Sequence, residues 1–233
     1  MDTESTEQTR APLDRNLVIE TAIELVDAEG LGALSMRRLG ATLGVEAMAL
    51  YRHIDGREDL LEGIVDAITD RIERVADMDL GPHGGWQAYL QNVAHAVRDL
   101  AFAHPQIFPL VATRHPAAPW LRPPLRNLEV VEDFLTALMG MGFTDDQAVA
   151  AYRAFTSFLL GHLLLSVSQR GAPASAGEML MNDGAHGGEG DTDMADYPTI
   201  QRLRAKLSVD HSAEEFETAL ESLLSRIAAV RGE

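Results

Sequence analysis

The chain is 233 residues long and 46 % hydrophobic, enough to bury a sizeable core in one large domain or in a small domain joined to a larger one. It has no cysteine, which excludes disulfides and thiolate metal sites. Its net charge of −17 excludes nucleic-acid binding by bulk attraction, so such a role would need a locally basic face.

Apolar residues recur at helical spacing along the chain and no segment alternates like a strand, so the expected fold class is all-α. Residues 1–12 are polar and acidic, unlike a leader, and are expected to be disordered. No apolar run reaches the roughly 18 residues of a membrane span, so a cytoplasmic setting without a membrane partner is expected. Asp14 is placed to cap a first helix whose apolar face carries Val18, Ala22, Leu25 and Val26 and which stops at Gly30. Ser35 opens a short second helix with Met36, Leu39 and Leu43, closed by Gly44, and a third runs over about 46–53. Asp55 and Glu58 form a capping-box pattern that opens a long fourth helix with Leu60, Leu61, Ile64, Ile68 and Ile72.

Pro82 and its neighbouring glycines break the chain over 80–85, and a fifth helix covers 86–103. Prolines at 105, 109, 116, 119, 123 and 124 keep any helix in that stretch short or kinked. Helices are then expected over 125–141, over 144–168 and from 212 onward. The last two would open on capping boxes, Thr144 with Gln147 and Ser212 with Glu215. The Gly-, Ala- and Asp-rich stretch 171–196 is expected to be mobile. On this reading residues 13–60 form a small domain and 61–233 a larger one.

The most specific local pattern lies between Leu34 and His53. Two short helices crossing at a steep angle need a small residue at their contact, a turn residue that tolerates positive φ, and an apolar residue under both. Ala41, Gly44 and Val45 are the candidates, with Leu39, Val45 and Leu50 inside and Arg37, Ala47, Met48, Ala49 and Arg52 outside. Over 35–57 four arginines (37, 38, 52 and 57) face two acids, Glu46 and Asp55, so this stretch is basic although the chain is acidic. The alternative is an ordinary helical hairpin inside a core.

The run GVEAMALYRHIDGREDLL over 44–61 resembles the DNA-binding domain of the tetracycline-repressor (TetR) family, and the likeness extends over 14–66. Weaker likeness to the C-terminal domain of the tetracycline repressors themselves is carried by Trp86 to Leu90, Thr113 with Arg114, Met141 to Phe143, and Leu160 with Gly161. The resemblance implies a homodimer that binds a palindromic DNA operator through a helix-turn-helix and senses a small-molecule effector. Tyr51, His53 and Arg57 would contact phosphates, Ser35 would donate to one from a helix start, and Arg37 would reach a base edge. Where tetracycline repressors read bases with a glutamine and a threonine, this chain has Ala47 and Ala49. A different operator is therefore expected, read by Arg37, Arg52 and apolar contacts from Ala47, Met48 and Ala49.

The helices over 144–168 and 212–230 carry wide apolar faces, including Tyr152, Phe155, Phe158 and Leu163 on one and Leu220, Leu224 and Ile227 on the other. Such faces serve either an intrachain core or, as the resemblance implies, a four-helix contact between two subunits. At the family's drug- and magnesium-contacting positions stand Glu73, Val93, Val97, Leu110, Thr113, Phe134 and Leu165, of which only Thr113 matches. No magnesium chelate and no other metal or cofactor is therefore expected. The effector would be largely apolar and bound near Val93, Val97, Leu110, Thr113, Phe134, Tyr152, Phe155 and Leu165, with Trp86, Phe102, Phe108 and Trp120 as further walls or as core. Histidines 83, 95, 104, 115, 162, 186 and 211 lack metal-ligand spacing, and His162 reads as a hydrogen-bonded core residue. No nucleophile elbow, phosphate loop or catalytic dyad stands out, so no enzyme is expected. Two competing readings remain: an activator of the same fold, and a helical ligand-binding protein or enzyme in which the N-terminal motif is only structural.

Overall fold

A computed structural model describes residues 12–78, 84–113, 120–121, 128–172 and 196–232, with the backbone alone over 72–78. Among these residues all regular structure is helical. The helices are α1 (Arg15–Glu29), α2 (Met36–Leu43), α3 (Ala47–Leu50), α4 (Arg57–Met78), α5 (Gly85–Ala103), α6 (Phe108–Thr113), α7 (Leu128–Gly140), α8 (Asp145–Ser168), α9 (Pro198–Leu207) and α10 (Ser212–Arg231). Contacts group the chain into two units, Met1–Ile68 and Thr69–Glu233, with the boundary inside α4.

In the first unit α1 starts where Asp14 Oδ1 accepts the Leu17 N–H at 2.8 Å. Val18, Ile19, Ala22, Ile23, Leu25 and Val26 are its buried face. Ser35 Oγ accepts the Arg38 N–H at 3.2 Å and so caps α2. Leu39, Leu50, Ile54, Leu60, Ile64 and Ile68, each at most 1 % exposed, complete the core. Burial of each contributes about 1.5–3 kcal/mol against an exposed state.

Two details differ from the sequence reading. The small residue at the α2–α3 crossing is Gly40 rather than Ala41, which is exposed. A Cβ on Gly40 would stand 2.9 Å from the Val45 carbonyl oxygen and 3.2 Å from the Ala47 nitrogen. The start of α4 also departs from the expected box: the Asp55 N–H is accepted at 2.8 Å by Asp59 Oδ2, one residue beyond Glu58. Asp59 is simultaneously forked by Arg15, at 2.8 and 2.6 Å, which joins the start of α1 to the first turn of α4.

The second unit packs α5, α7, α8 and α10 around an aromatic centre. The Phe134 ring lies 6.0 Å from Tyr89, 5.9 Å from Tyr152 and 5.5 Å from Phe155, spacings typical of favourable edge and offset pairs. Trp86 meets Phe143 edge-on at 5.4 Å. The Thr144–Gln147 capping box forms as expected and opens α8. The Ser212 box does not: Ser212 is the first residue of α10, and its N–H donates to Asp210 Oδ1 at 2.9 Å. The expectation of no span-length apolar segment also needs correction, because α8 is long and apolar enough by length and composition. Its Ala148, Ala151, Tyr152, Phe155, Leu159 and Leu163 are buried in the core.

Helix α9 was not anticipated. It starts on Pro198, a residue pre-set for a first turn, and has no buried residue, so the chain offers no apolar stripe by which to find it. The disorder expected for 1–12 and the mobile stretch 171–196 fall outside the described residues except at their edges.

Gly40→Ala should destabilise the first unit by about 1–3 kcal/mol through overpacking against backbone, whereas Ala41→Ser should be nearly silent; thermal melts of both variants check the contrast. The fork from Arg15 and the Asp55 N–H hold the Asp59 carboxyl at about 2, below its ordinary 3.8. A depressed folded-state value means that its contribution is complete above about pH 4 and is lost as pH falls toward 2. Asp59→Asn should therefore lower stability by on the order of 1 kcal/mol or less near neutrality. That difference should shrink to nothing at the acid end, as read from urea midpoints against pH.

Candidate functional site

Gly40 lets α3 approach α2, and Gly44, in the left-handed region at φ 67°, turns the chain between them. The Val45 N–H returns to the Gly40 carbonyl at 2.9 Å, which closes the turn. Leu39 and Leu50 lie inside as expected, but Val45 is only half-buried.

The outward face is built on this crossing. Arg37 and Arg52 are exposed, and Met48 stands 74 % exposed between half-buried Ala47 and Ala49. Met48 is therefore the most prominent side chain of α3, with the two alanine methyls beside it. Tyr51 is 46 % exposed, His53 is half-buried, and Arg57 is exposed as the first residue of α4. Ser35 uses an oxygen lone pair on the Arg38 N–H, which leaves its hydroxyl proton for an outside acceptor. Arg38 is ion-paired with Glu29, so the local positive charge rests on the other three arginines. Among the described residues Arg37, Arg52 and Arg57 make no ion pair, while Glu46 and Asp55 are exposed acids on the same stretch.

Sequence reasoning missed Arg15. Its guanidinium donates to the His53 carbonyl at 3.1 Å as well as to Asp59, which lies 44 positions away. No local pattern signals a pair at that separation. Gly40 was legible only as a glycine within a helix.

In the second unit Val97, Phe134, Tyr152 and Phe155 lie in one buried cluster, and Val93 packs against it. Leu110 is buried, while Thr113 is exposed with its hydroxyl on the Pro109 carbonyl at 2.7 Å. Leu165 is 69 % exposed and stands apart from the cluster, because it lies on the side of α8 opposite Leu163 and Val167. Among the further walls Trp86 and Phe108 are buried, and Phe102 is half-buried beneath the Arg170 guanidinium at 3.7 Å. Trp120 is 77 % exposed. Burial pushes the Tyr152 hydroxyl up to about 12.

Tyr152, Phe155, Leu163, Leu220, Leu224 and Ile227 are intrachain core, so the apolar faces seen in the sequence are used within the subunit. At the edge of this core, α8 and α10 border a groove of about 270 Å³ whose lining includes Ala150, Ala151, Ala154, Leu223, Ile227 and Val230. Glu217 on α10 meets His95 at 3.1 Å and Arg98 at 2.5 Å, and these contacts, His95 first, hold its carboxyl below the usual range. His162 is half-buried, with its ring 5.3 Å from Phe216 and 5.8 Å from Phe158. No group of three metal-ligating side chains occurs among the described residues.

Residues 18–64 match the family described as "Bacterial regulatory proteins, tetR family", and residues 80–231 match "Tetracyclin repressor-like, C-terminal domain". The HTH-type transcriptional repressor DrrR1 of Streptomyces coeruleorubidus is 35 % identical over 167 residues, 71 % of this chain and 57 % of that protein. The class C tetracycline repressor protein of Escherichia coli is 30 % identical over 71 % of this chain and 70 % of its own length. A crystal structure of the Streptomyces coelicolor TetR family protein ActR in complex with actinorhodin superposes with a TM-score of 0.66 at 25 % identity, covering 94 % of this chain and 97 % of that one. With both units matched over most of the described residues, the chain belongs to the TetR family of bacterial regulators.

Proposed function

We propose that this chain is a cytoplasmic, homodimeric repressor that binds a palindromic operator and is released from it by a small, largely apolar effector. The observation that carries the reading is the exposure of Arg37, Met48, Tyr51 and Arg52 on one glycine-closed helix-turn-helix, with Arg57 just after it, in a chain that is otherwise strongly acidic. Ser35, Tyr51, His53 and Arg57 contact phosphates; Arg37 and Arg52 reach base edges; Met48 with Ala47 and Ala49 lies against thymine methyls. A single short reading helix covers only a few base pairs, so two copies at half-sites about 34–36 Å apart give a useful site.

The two copies meet through the outward sides of α8 and α10, where Val149, Leu165 and Val230 are exposed and Ala150 and Ala154 allow close approach. The effector enters the region of Val93, Val97, Leu110, Phe134, Tyr152 and Phe155, with Thr113 at its edge. These side chains offer contact area and few hydrogen-bonding groups, so they favour an apolar ligand. The solved complex of ActR with actinorhodin, a protein of similar fold, supports a ligand-responsive role for the chain as a whole. Release follows only if the effector binds the form that fits DNA poorly more tightly than the form that fits it.

Selection of bound duplexes from a random pool, followed by a screen for small molecules that release them, tests the proposal. A two-fold symmetric sequence whose affinity falls steeply with salt is expected. No enrichment at low ionic strength, or a stably monomeric protein, would overturn it, and a reporter assay distinguishes repression from activation. Arg37→Ala should relax the preference at one base pair per half-site, at about 1–3 kcal/mol. Arg57→Ala should weaken all sequences alike and make the salt dependence shallower by about one unit of slope. Identical behaviour of the two variants would reject these roles.

A further inference from the structure

Three segments meet at the Arg15 guanidinium. Nη1 donates to the His53 carbonyl at 3.1 Å and to Asp59 Oδ2 at 2.8 Å, while Nη2 reaches Asp59 Oδ1 at 2.6 Å. Asp59 Oδ2 in turn accepts the Asp55 N–H at 2.8 Å. The anchored positions 53, 55 and 59 bracket the connection from the reading helix into α4. Tyr51, Arg52, His53 and Arg57 all lie on or beside that bracket. One turn further along α4, Gly63 lets the side chain of Ile19 come in: a Cβ there would stand 2.6 Å from Ile19 Cδ1 and 3.6 Å from Arg15 Nη2. Gly63 thus makes room for Ile19, and the guanidinium lies beside it at ordinary contact distance, with its fork on the carboxylate and the carbonyl.

Two physical points separate this arrangement from an ordinary surface pair. Exposed ion pairs contribute little to folding, and here the two side chains are 44 % and 28 % exposed. A planar guanidinium bound to both oxygens of a carboxylate and to a carbonyl has instead a fixed orientation, which makes it suited to setting backbone position. Its charge is also taken up by Asp59, so Arg15 is poorly placed to serve a phosphate itself.

We infer that the Arg15–Asp59 clamp positions the DNA-contacting connection: by holding the His53 carbonyl and the first turn of α4, it sets where Tyr51, His53 and Arg57 meet the phosphates of a duplex. Arg15 is a positioning residue that acts through those three. The inference rests on the DNA-binding reading above.

The test uses the full chain and a mixed-sequence duplex of roughly 30 base pairs, long enough for two half-sites one turn apart with flanks. Phosphates are common to every sequence, so no knowledge of the operator is required. Kd is measured across a salt series for the unaltered protein, Arg15→Met, Asp59→Asn, the double variant and Arg15→Lys, with each folded fraction taken from circular dichroism. Arg15→Met and Asp59→Asn should each weaken binding about tenfold at low salt and lower the slope of log K against log salt by about one, the equivalent of one lost phosphate contact. The double variant should be no worse than either single one, because the two side chains act as a unit.

Arg15→Lys keeps the charge but cannot fork, so it should show a loss of the same kind and smaller size. A purely structural pair would lower the melting temperature and leave the slope and the Kd of the folded fraction unchanged; that result overturns the inference. If Arg15→Met fails to fold, Arg15→Lys decides: binding equal to the unaltered protein refutes the clamp, and a shallower slope supports it. Failure of the unaltered protein to bind any duplex removes the DNA-binding reading and the clamp together, whereas normal binding by every folded variant removes the clamp alone.

Discussion

The missing side chain at Gly40 is the constraint on which the helix-turn-helix depends. With hydrogen in place of a methyl, the α2 backbone comes within about van der Waals distance of the Val45 carbonyl and the start of α3. Gly44 then reverses the chain at φ 67° and returns the Val45 N–H to the Gly40 carbonyl. The consequence is a short helix set on bare backbone, with Leu39 and Leu50 buried beneath it and Met48 thrust outward. A bulkier crossing would push α3 off this seat and change the height of every side chain that it presents.

Electrostatics in this chain is a matter of place rather than of total. A net charge of −17 repels a polyanion at long range, but screening at physiological salt confines that repulsion to about 8 Å. On the helix-turn-helix what counts is which arginines are already committed. Arg38 is paired with Glu29 and Arg15 with Asp59, so both serve the fold, while Arg37, Arg52 and Arg57 remain on the outer face. Committing two of the five arginines to internal order gives the other three defined positions.

The second unit solves a different problem. Its helices enclose an aromatic centre around Phe134, and this cluster contains Val97, Phe134, Tyr152 and Phe155, four of the eight residues proposed for the effector, with Val93 packed against it. Apolar walls of this kind rigidify the unit when they pack on one another and become a binding surface when a ligand takes the place of some of those contacts. The polar ties, such as Glu217 with His95 and Arg98, lie at the rim between α5 and α10, where water still screens them.

The sequence by itself determined the helical class, the caps at Asp14, Ser35 and Thr144, the stops at Gly30 and Gly44, and the location of the helix-turn-helix. All of these are local: a cap or a stop is decided by residues within one turn, and apolar periodicity reports which face is buried. Tertiary structure alone decided the rest. It chose Gly40 over Ala41 at the crossing, moved the acceptor at the start of α4 from Glu58 to Asp59, and paired Asp59 with Arg15 across 44 positions. It also turned the apolar faces of α8 and α10 inward and left Leu165 and Trp120 outside. Periodicity says that a face is apolar, but not which partner covers it. An ion pair between distant segments leaves no trace in either segment alone, because its energy exists only once packing has brought the two together.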